Sequence, residues 1–314
     1  MTPIGGYFEL ELPQRTEYHS LAIALNTGRN CLEYILRVRS YRHIYLPYFS
    51  CEVLLEPFRK LGVEYTFYHV NERLELVEEI ELDVDEAILY INYFGLKQSY
   101  VDALAQRYGK KLIVDNTQAF FSRPLEGIDT FYSCRKFFGV ADGAYLYCDK
   151  VLDMRLEKDH SWQRMSHLLK RIDESPEAAY GDFKMCEDQL NDNPVREMSS
   201  LTRRIMRSID FNQVVMIRRY NFKHLDDALG IQNRISMQLD SDSVPMVYPF
   251  LSDDETLRQR LIDNKIFVAQ YWPNVLALCE KDCTDYRLTK KLVPLPVDQR
   301  YGSEEMKLLL SLVK

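Results

Sequence analysis

Between residues 20 and 150, short apolar runs alternate with stretches in which apolar residues recur every three or four positions. In GRNCLEYILRVR, residues Cys31, Tyr34, Ile35 and Val38 fall on one face of a helix, because a turn takes 3.6 residues. HIYLPY reads as a buried strand closed by Pro47, and CEVLLEPFRKLG as a helix that Pro57 kinks and Gly62 ends. VEYTFYHV and AILYINYFG have the composition of strands. SYVDALAQRYG predicts a helix with Ser99 as N-cap, Val101, Leu104, Ala105 and Tyr108 on one face, and Gly109 past its end. KKLIVDNTQAFF opens as an apolar strand, residues 130–133 form a short strand, and GAYLYCD is another. Strands alternating with helices predict an α/β fold with a mostly parallel sheet covered on both faces. Ligands bind such sheets beyond the carboxyl ends of their strands.

The pattern changes after residue 150. Residues 151–240 are charged and helix-prone in RRIMRSI and MIRRYNFKHLDDAL, whereas ESPEAAYGD and LNDNPVREMSS read as loops. Beyond them VPMVYPFL is a strand, DDETLRQRLIDN a helix with an acidic first turn, KIFVAQYW and LVPLP strands, and SEEMKLLLSLV a closing helix. These shifts divide the chain into an N-terminal arm (1–20), a large domain (21–215) and a small C-terminal α/β domain (216–314).

With 314 residues, 46% hydrophobic and 28% charged, the composition is that of a soluble globular protein able to bury a large core. A net charge of −7 without a basic stripe argues against nucleic acid as a partner. The first twenty residues carry acidic groups and no apolar core of a signal peptide, and no run approaches the roughly 18 apolar residues of a membrane helix. Seven scattered cysteines, with Cys279 and Cys283 the only close pair, suit free thiols in a reducing cytoplasm. The six histidines are dispersed and neither HExxH nor CxxC occurs, so the spacing supports no metal site.

Candidate chemistry centres on FYSCRKFFGVADGAYLYCD, where Lys136 stands among aromatic and small residues. A lysine there either reaches the surface on its flexible stem or serves as a nucleophilic amine. Three features favour the amine. Ser133 precedes Lys136 by three residues, so a hydroxyl could bind a phosphate beside it. Asp115 ends the apolar strand of LIVDNTQAF, 21 residues upstream, where a carboxylate can pair with a protonated pyridine nitrogen. LNTGRNCLEYIL is a Thr-Gly turn opening a helix, whose free N–H groups and dipole attract a phosphate dianion.

Together these stretches resemble the DegT/DnrJ/EryC1/StrS sugar aminotransferases, which are pyridoxal 5'-phosphate (PLP) enzymes of the aspartate-aminotransferase fold, fold type I. VDNTQAF is similar to the family's D-x-x-Q/H motif and SCRKFFGVADGAYLY to its lysine segment; LNTGRNCLEYIL, YLPYFSCEVLLEPFRKLGVEYTFYHV, INYFG, VYPFL, YWPNV and LVPLPVDQRYGSEEM support the likeness. The resemblance implies that Lys136 binds the cofactor covalently and later moves protons as a base. It implies that Asp115 keeps the ring nitrogen protonated, that Gln118 contacts the ring or its 3-oxygen, and that either Phe49 or Tyr48 stacks on the ring. Ser133, Gly28, Arg29 and Asn30 would hold the phosphate, the last three mainly through backbone N–H groups. The amine must be neutral to attack, so an ordinary lysine pKa of about 10.4 has to fall, through burial between aromatics and through Arg135 if its charge points inward.

The resemblance further implies transfer of an amino group from glutamate to a nucleotide-linked keto sugar in glycan synthesis, by a homodimer whose arm GGYFELEL reaches the substrate side. The family's Asn-Tyr-Arg motif is not evident between residues 160 and 215, and the phosphate serine is closer to the lysine than is usual. A non-sugar keto substrate, or a PLP-fold binding protein without turnover, therefore stay open as alternatives; relatives that act as dehydratases replace the lysine, which is retained here.

Overall fold

The apolar runs of the first half become neighbours in one sheet. The computed structural model describes residues 4–314, so the first three residues of the expected arm lie outside the described residues. In chain order the elements are β1 (Ile23–Leu25), α1 (Gly28–Arg39), β2 (His43–Pro47), α2 (Glu56–Leu61), β3 (Glu64–Tyr68), β4 (Glu86–Ile91), α3 (Gln98–Tyr108), β5 (Leu112–Asn116), β6 (Asp129–Ser133) and β7 (Ala144–Tyr147). They form a seven-stranded sheet in the order β1-β7-β6-β5-β4-β2-β3. The five strands from β3 to β6 run parallel, β7 is antiparallel to β6, and β1 is antiparallel to β7. Every residue of β4, β5 and β6 is buried, which is the burial of a sheet covered on both faces. β3 lies at the edge, and its first three residues are exposed.

Four helices follow: α4 (Ser166–Asp173), α5 (Pro176–Asp188), α6 (Ser200–Met206) and α7 (Phe211–Leu229). The C-terminal part holds a two-stranded antiparallel sheet of β8 (Val247–Leu251) and β9 (Leu292–Pro296). Around it lie α8 (Leu257–Asp263), α9 (Val275–Leu278), α10 (Thr284–Lys291) and α11 (Ser303–Val313), with α7 packed on α11 and β8. No helix among the described residues is long and apolar enough to cross a membrane.

Several expectations need correction. ESPEAAYGD is not a loop but the start of α5, where Ser175 accepts the Ala178 N–H and Pro176 occupies the first turn, a place that needs no proline N–H. Ser99 does not cap α3, which begins a residue earlier at Gln98; its hydroxyl donates to Asp240 instead. KIFVAQYW joins no sheet, since β8 and β9 pair only with each other. β1 was too short at three residues to show a period. The boundary expected at 215/216 falls inside α7, which runs unbroken from Phe211 to Leu229.

α7 ties the two parts together through Arg218, which is 1% exposed. Its Nη1 donates to the carbonyls of Pro245 (3.1 Å) and Met246 (3.0 Å), its Nε to Gln299 Oε1 (2.8 Å), and its Nη2 to the Phe137 carbonyl (3.4 Å). The guanidinium also lies 4.5 Å from the centre of the Phe137 ring. Burial pulls its pKa down to about 10 against the pull of Asp298, so it stays charged at neutral pH. Arg218→Ala strips these carbonyls of a donor and leaves a cavity; the expected loss is about 3 kcal/mol of unfolding free energy in a urea titration. Arg218→Lys should recover only part of it, because a point charge cannot reproduce the fork.

Candidate active site

Parallel pairing of β5 with β6 sets Asp115 opposite Phe131 and Asn116 opposite Tyr132, so the residues following both strands emerge at the same end of the sheet. Asp115, 5% exposed, turns back on its own chain: its Oδ1 accepts the Thr117 N–H at 2.7 Å. Lys136 sits in the turn after β6, where the N–H groups of Phe137 and Phe138 both bond to the Cys134 carbonyl (3.1 and 2.9 Å). Its Nζ donates to Thr117 Oγ1 at 2.9 Å. Thr117 thus joins the carboxylate to the amine. Burial pushes the Asp115 pKa up, opposed by the charge of Lys136 and by the hydrogen bonds of Thr117.

The expected burial of Lys136 between aromatics does not occur. Lys136 is exposed, while Phe137 and Phe138 turn inwards onto Phe120, Phe121 and Phe211. Arg135 pairs with Glu187 of α5, and burial holds its pKa down at about 10. The flanking aromatic side chains therefore pack into the core, away from the amine.

The start of α1 meets the same group. A Cβ on Gly28 would lie 3.0 Å from the Thr117 methyl, so glycine lets the helix start close against Thr117. The N–H groups of Gly28 and Arg29 find no acceptor among the described residues, as expected for a first helical turn. Asn30 differs from expectation: its N–H bonds to Thr27 Oγ1 (3.2 Å), its Oδ1 accepts the Thr27 hydroxyl (2.6 Å), and its Nδ2 donates to the Asn193 carbonyl (2.9 Å). Helix capping takes up the donor that was assigned to a phosphate. The Arg29 side chain points to Glu56 and Asn191, both at 2.8 Å.

Ser133, the buried last residue of β6, makes no side-chain hydrogen bond among the described residues. Gln118 is held by its Oε1, which accepts the Phe94 N–H at 3.0 Å, while its Nε2 is buried without a partner. Phe94 and Gly95 both adopt positive φ (58° and 73°) in the turn after β4. A Cβ on Gly95 would approach the Val244 carbonyl to 2.6 Å, which leaves glycine there without an alternative. The two aromatic candidates are engaged elsewhere. Phe49 is fully buried with its ring against Trp272 (4.9 Å), and Tyr48 stacks on Phe67 (4.8 Å) and His69 (4.5 Å). No hydrogen bond or ring contact among the described residues joins either to Asp115, Thr117 or Lys136.

Sequence reasoning missed Thr117. Its signal was the hydroxyl residue two places after a strand-ending aspartate, the position whose N–H an aspartate side chain reaches in a tight turn.

No protein-family model matches this sequence, and no curated protein matches it either. Solved structures do. The fold is that of sugar aminotransferases: CalS13 from Micromonospora echinospora superimposes with a TM-score of 0.62 at 14% identity, over 93% of this chain and 86% of that one. A DegT DnrJ EryC1 StrS aminotransferase from Brucella abortus gives 0.62 at 14% identity over 93% and 84%. Spr1654 from Streptococcus pneumoniae in its PLP-form gives 0.63 at 11% identity over 93% and 86%.

The raised pKa of Asp115 has a consequence for stability. Between the unfolded and folded values the native state binds more protons than the unfolded one, so stability falls as pH rises through that window and stays reduced above it. Asp115→Asn keeps an acceptor for the Thr117 N–H and removes the buried charge. Its Tm at pH 7 should exceed that of the wild type, and its Tm should be flatter as pH rises above the ordinary aspartate range. A lower Tm at pH 7 would mean that the Lys136 charge outweighs burial.

Proposed function

We propose that this protein is a PLP-dependent aminotransferase that moves an amino group from glutamate to a nucleotide-linked keto sugar in glycan synthesis, acting as a homodimer. The observation that carries the reading is the link Asp115–Thr117–Lys136, which sets an acid and an amine side by side at the carboxyl end of two parallel strands. The surrounding groups fit the cofactor. Gly28 and Arg29 offer two N–H donors at a helix start, and Ser133 a hydroxyl, for a phosphate dianion. The unpartnered Nε2 of Gln118 is a donor suited to a ring oxygen. When bound, PLP supplies an aldehyde that takes up the amino group and a ring that stabilises negative charge on the neighbouring carbon.

The chain's residues supply the rest. Lys136 Nζ would hold the cofactor and, once released, would be the group placed to accept and return a proton; the hydrogen bond to Thr117 Oγ1 fixes its direction. Asp115, held by the Thr117 N–H, would pair with the ring nitrogen, and its buried surroundings would keep water away from that contact. Asn30 acts on the phosphate only by holding the first turn of α1 in shape. The arm supports the homodimer: Ile4, Tyr7 and Phe8 are over 90% exposed, a run of apolar surface that a second copy would cover.

PLP added to the purified protein should give a visible absorption band that borohydride fixes and glutamate shifts. Lys136→Ala should lose the fixable band and all turnover above the uncatalysed background while retaining weak binding of phosphate. Retained turnover in that variant would overturn the role of Lys136. A panel of nucleotide-linked keto sugars and keto acids assigns the acceptor; turnover confined to keto acids would refute the sugar substrate.

A further inference from the structure

Cys279 and Cys283, the one close cysteine pair of the sequence, bracket the junction between two helices. Cys279 is the C-cap of α9, and Cys283 is the N-cap of α10, its sulfur accepting the Tyr286 N–H at 3.4 Å. Two residues further on, Asp285 lies in the first turn of α10 and is fully buried. Facing it is His69, just past β3, with Nδ1 2.7 Å from Asp285 Oδ2; Asp285 Oδ1 accepts the Val70 N–H at 3.3 Å. The expectation of no metal site rested on spacing. Here the fold brings a histidine to a C-x3-C pair 210 residues later.

One donor atom from each of His69, Cys279, Cys283 and Asp285 lies within 4.8 Å of every other. A tetrahedral zinc ion, with bonds of about 2.0–2.3 Å, separates its ligand atoms by about 3.3–3.8 Å. Closing the cluster onto such an ion therefore takes shifts of about an ångström, within reach of side-chain rotation. The donor set, one imidazole nitrogen, two sulfurs and one carboxylate oxygen, suits zinc and not the hard cations magnesium or calcium. Charge points the same way. Among the described residues the only basic side chain paired with buried Asp285 is His69, so no lysine or arginine neutralises that carboxylate. The ligands are also pre-positioned: Tyr48 stacks on the His69 ring at 4.5 Å, and an Arg287–Glu72 pair ties α10 to the residues after His69.

We propose that His69, Cys279, Cys283 and Asp285 form a structural zinc site that fastens the α9–α10 junction to the end of β3. Each thiol gives one proton to solvent as its sulfur binds, and the two thiolates with the Asp285 carboxylate leave the loaded site with one net negative charge. The site shares no residue with the Asp115–Lys136 group and does not depend on what binds there.

The test titrates the reduced, metal-free full-length protein with zinc chloride against a chromophoric chelator. The expected result is one zinc per chain with a submicromolar Kd and release of two protons. Cys279→Ser and Cys283→Ser should each weaken binding at least 100-fold, and Cys51→Ser should leave it unchanged. Cobalt(II) in place of zinc should give a thiolate charge-transfer band that both serine variants lose. Should those variants fail to fold by circular dichroism, His69→Gln, on the exposed side of the cluster, decides with an expected loss of 10-fold or more. No stoichiometric binding at micromolar free zinc, binding that these substitutions leave intact, or a Cys279–Cys283 disulfide in protein purified with reductant would each overturn the proposal.

Discussion

Thr117 is the residue through which the site holds together. Its backbone N–H faces the Asp115 carboxylate, its hydroxyl faces the Lys136 amine, and its methyl sits where a side chain on Gly28 would have to go. A carboxylate buried to 5% exposure needs hydrogen bonds and a countercharge, or it protonates. Thr117 gives the first directly and aims the second. The arrangement costs the folded chain something, as the raised Asp115 pKa records. Such a cost at the end of two fully buried strands is one that stability does not call for, and it fits the role proposed for Asp115.

Lys136 is fixed from its other side as well. The carbonyl of the next residue, Phe137, accepts both Gln299 Nε2 at 2.8 Å and Arg218 Nη2 at 3.4 Å, and Arg218 covers the Phe137 ring. The amine is thus oriented by the sheet and its backbone by the C-terminal part. An exposed lysine held at both ends is pre-organised without being buried, as the role proposed for it requires.

The sheet was legible in the sequence because β4, β5 and β6 are buried on both faces, and such strands must be apolar at nearly every position whatever their partners. Asp115 was legible for the complementary reason, a charge inside such a strand, and Lys136 as a lone charge in a run of aromatic and small residues, although it lies exposed in the turn after β6. What the sequence hid depends on partners distant along the chain. Thr117 matters through its meeting with Lys136, nineteen residues away, which the β5–β6 register creates. Asn30 looked like a phosphate donor until capping by Thr27 and the Asn193 carbonyl accounted for its groups. KIFVAQYW has strand composition and no strand beside it. His69 and Asp285 had no visible relation until β3 and α10 were set side by side.

The C-terminal part reaches almost every loop at the carboxyl end of the parallel strands, and it does so largely through main-chain atoms. After β2, Asn274 donates to the Ser50 carbonyl at 3.0 Å; after β3, Asp285 takes the Val70 N–H; after β4, the Met246 N–H bonds to the Phe94 carbonyl at 2.8 Å; after β6, Gln299 holds the Phe137 carbonyl. Bonds to main-chain groups constrain where a loop lies without dictating which side chains it carries. That property lets a fold persist while side chains change, and this chain shares its fold over 93% of its length with proteins only 11–14% identical to it.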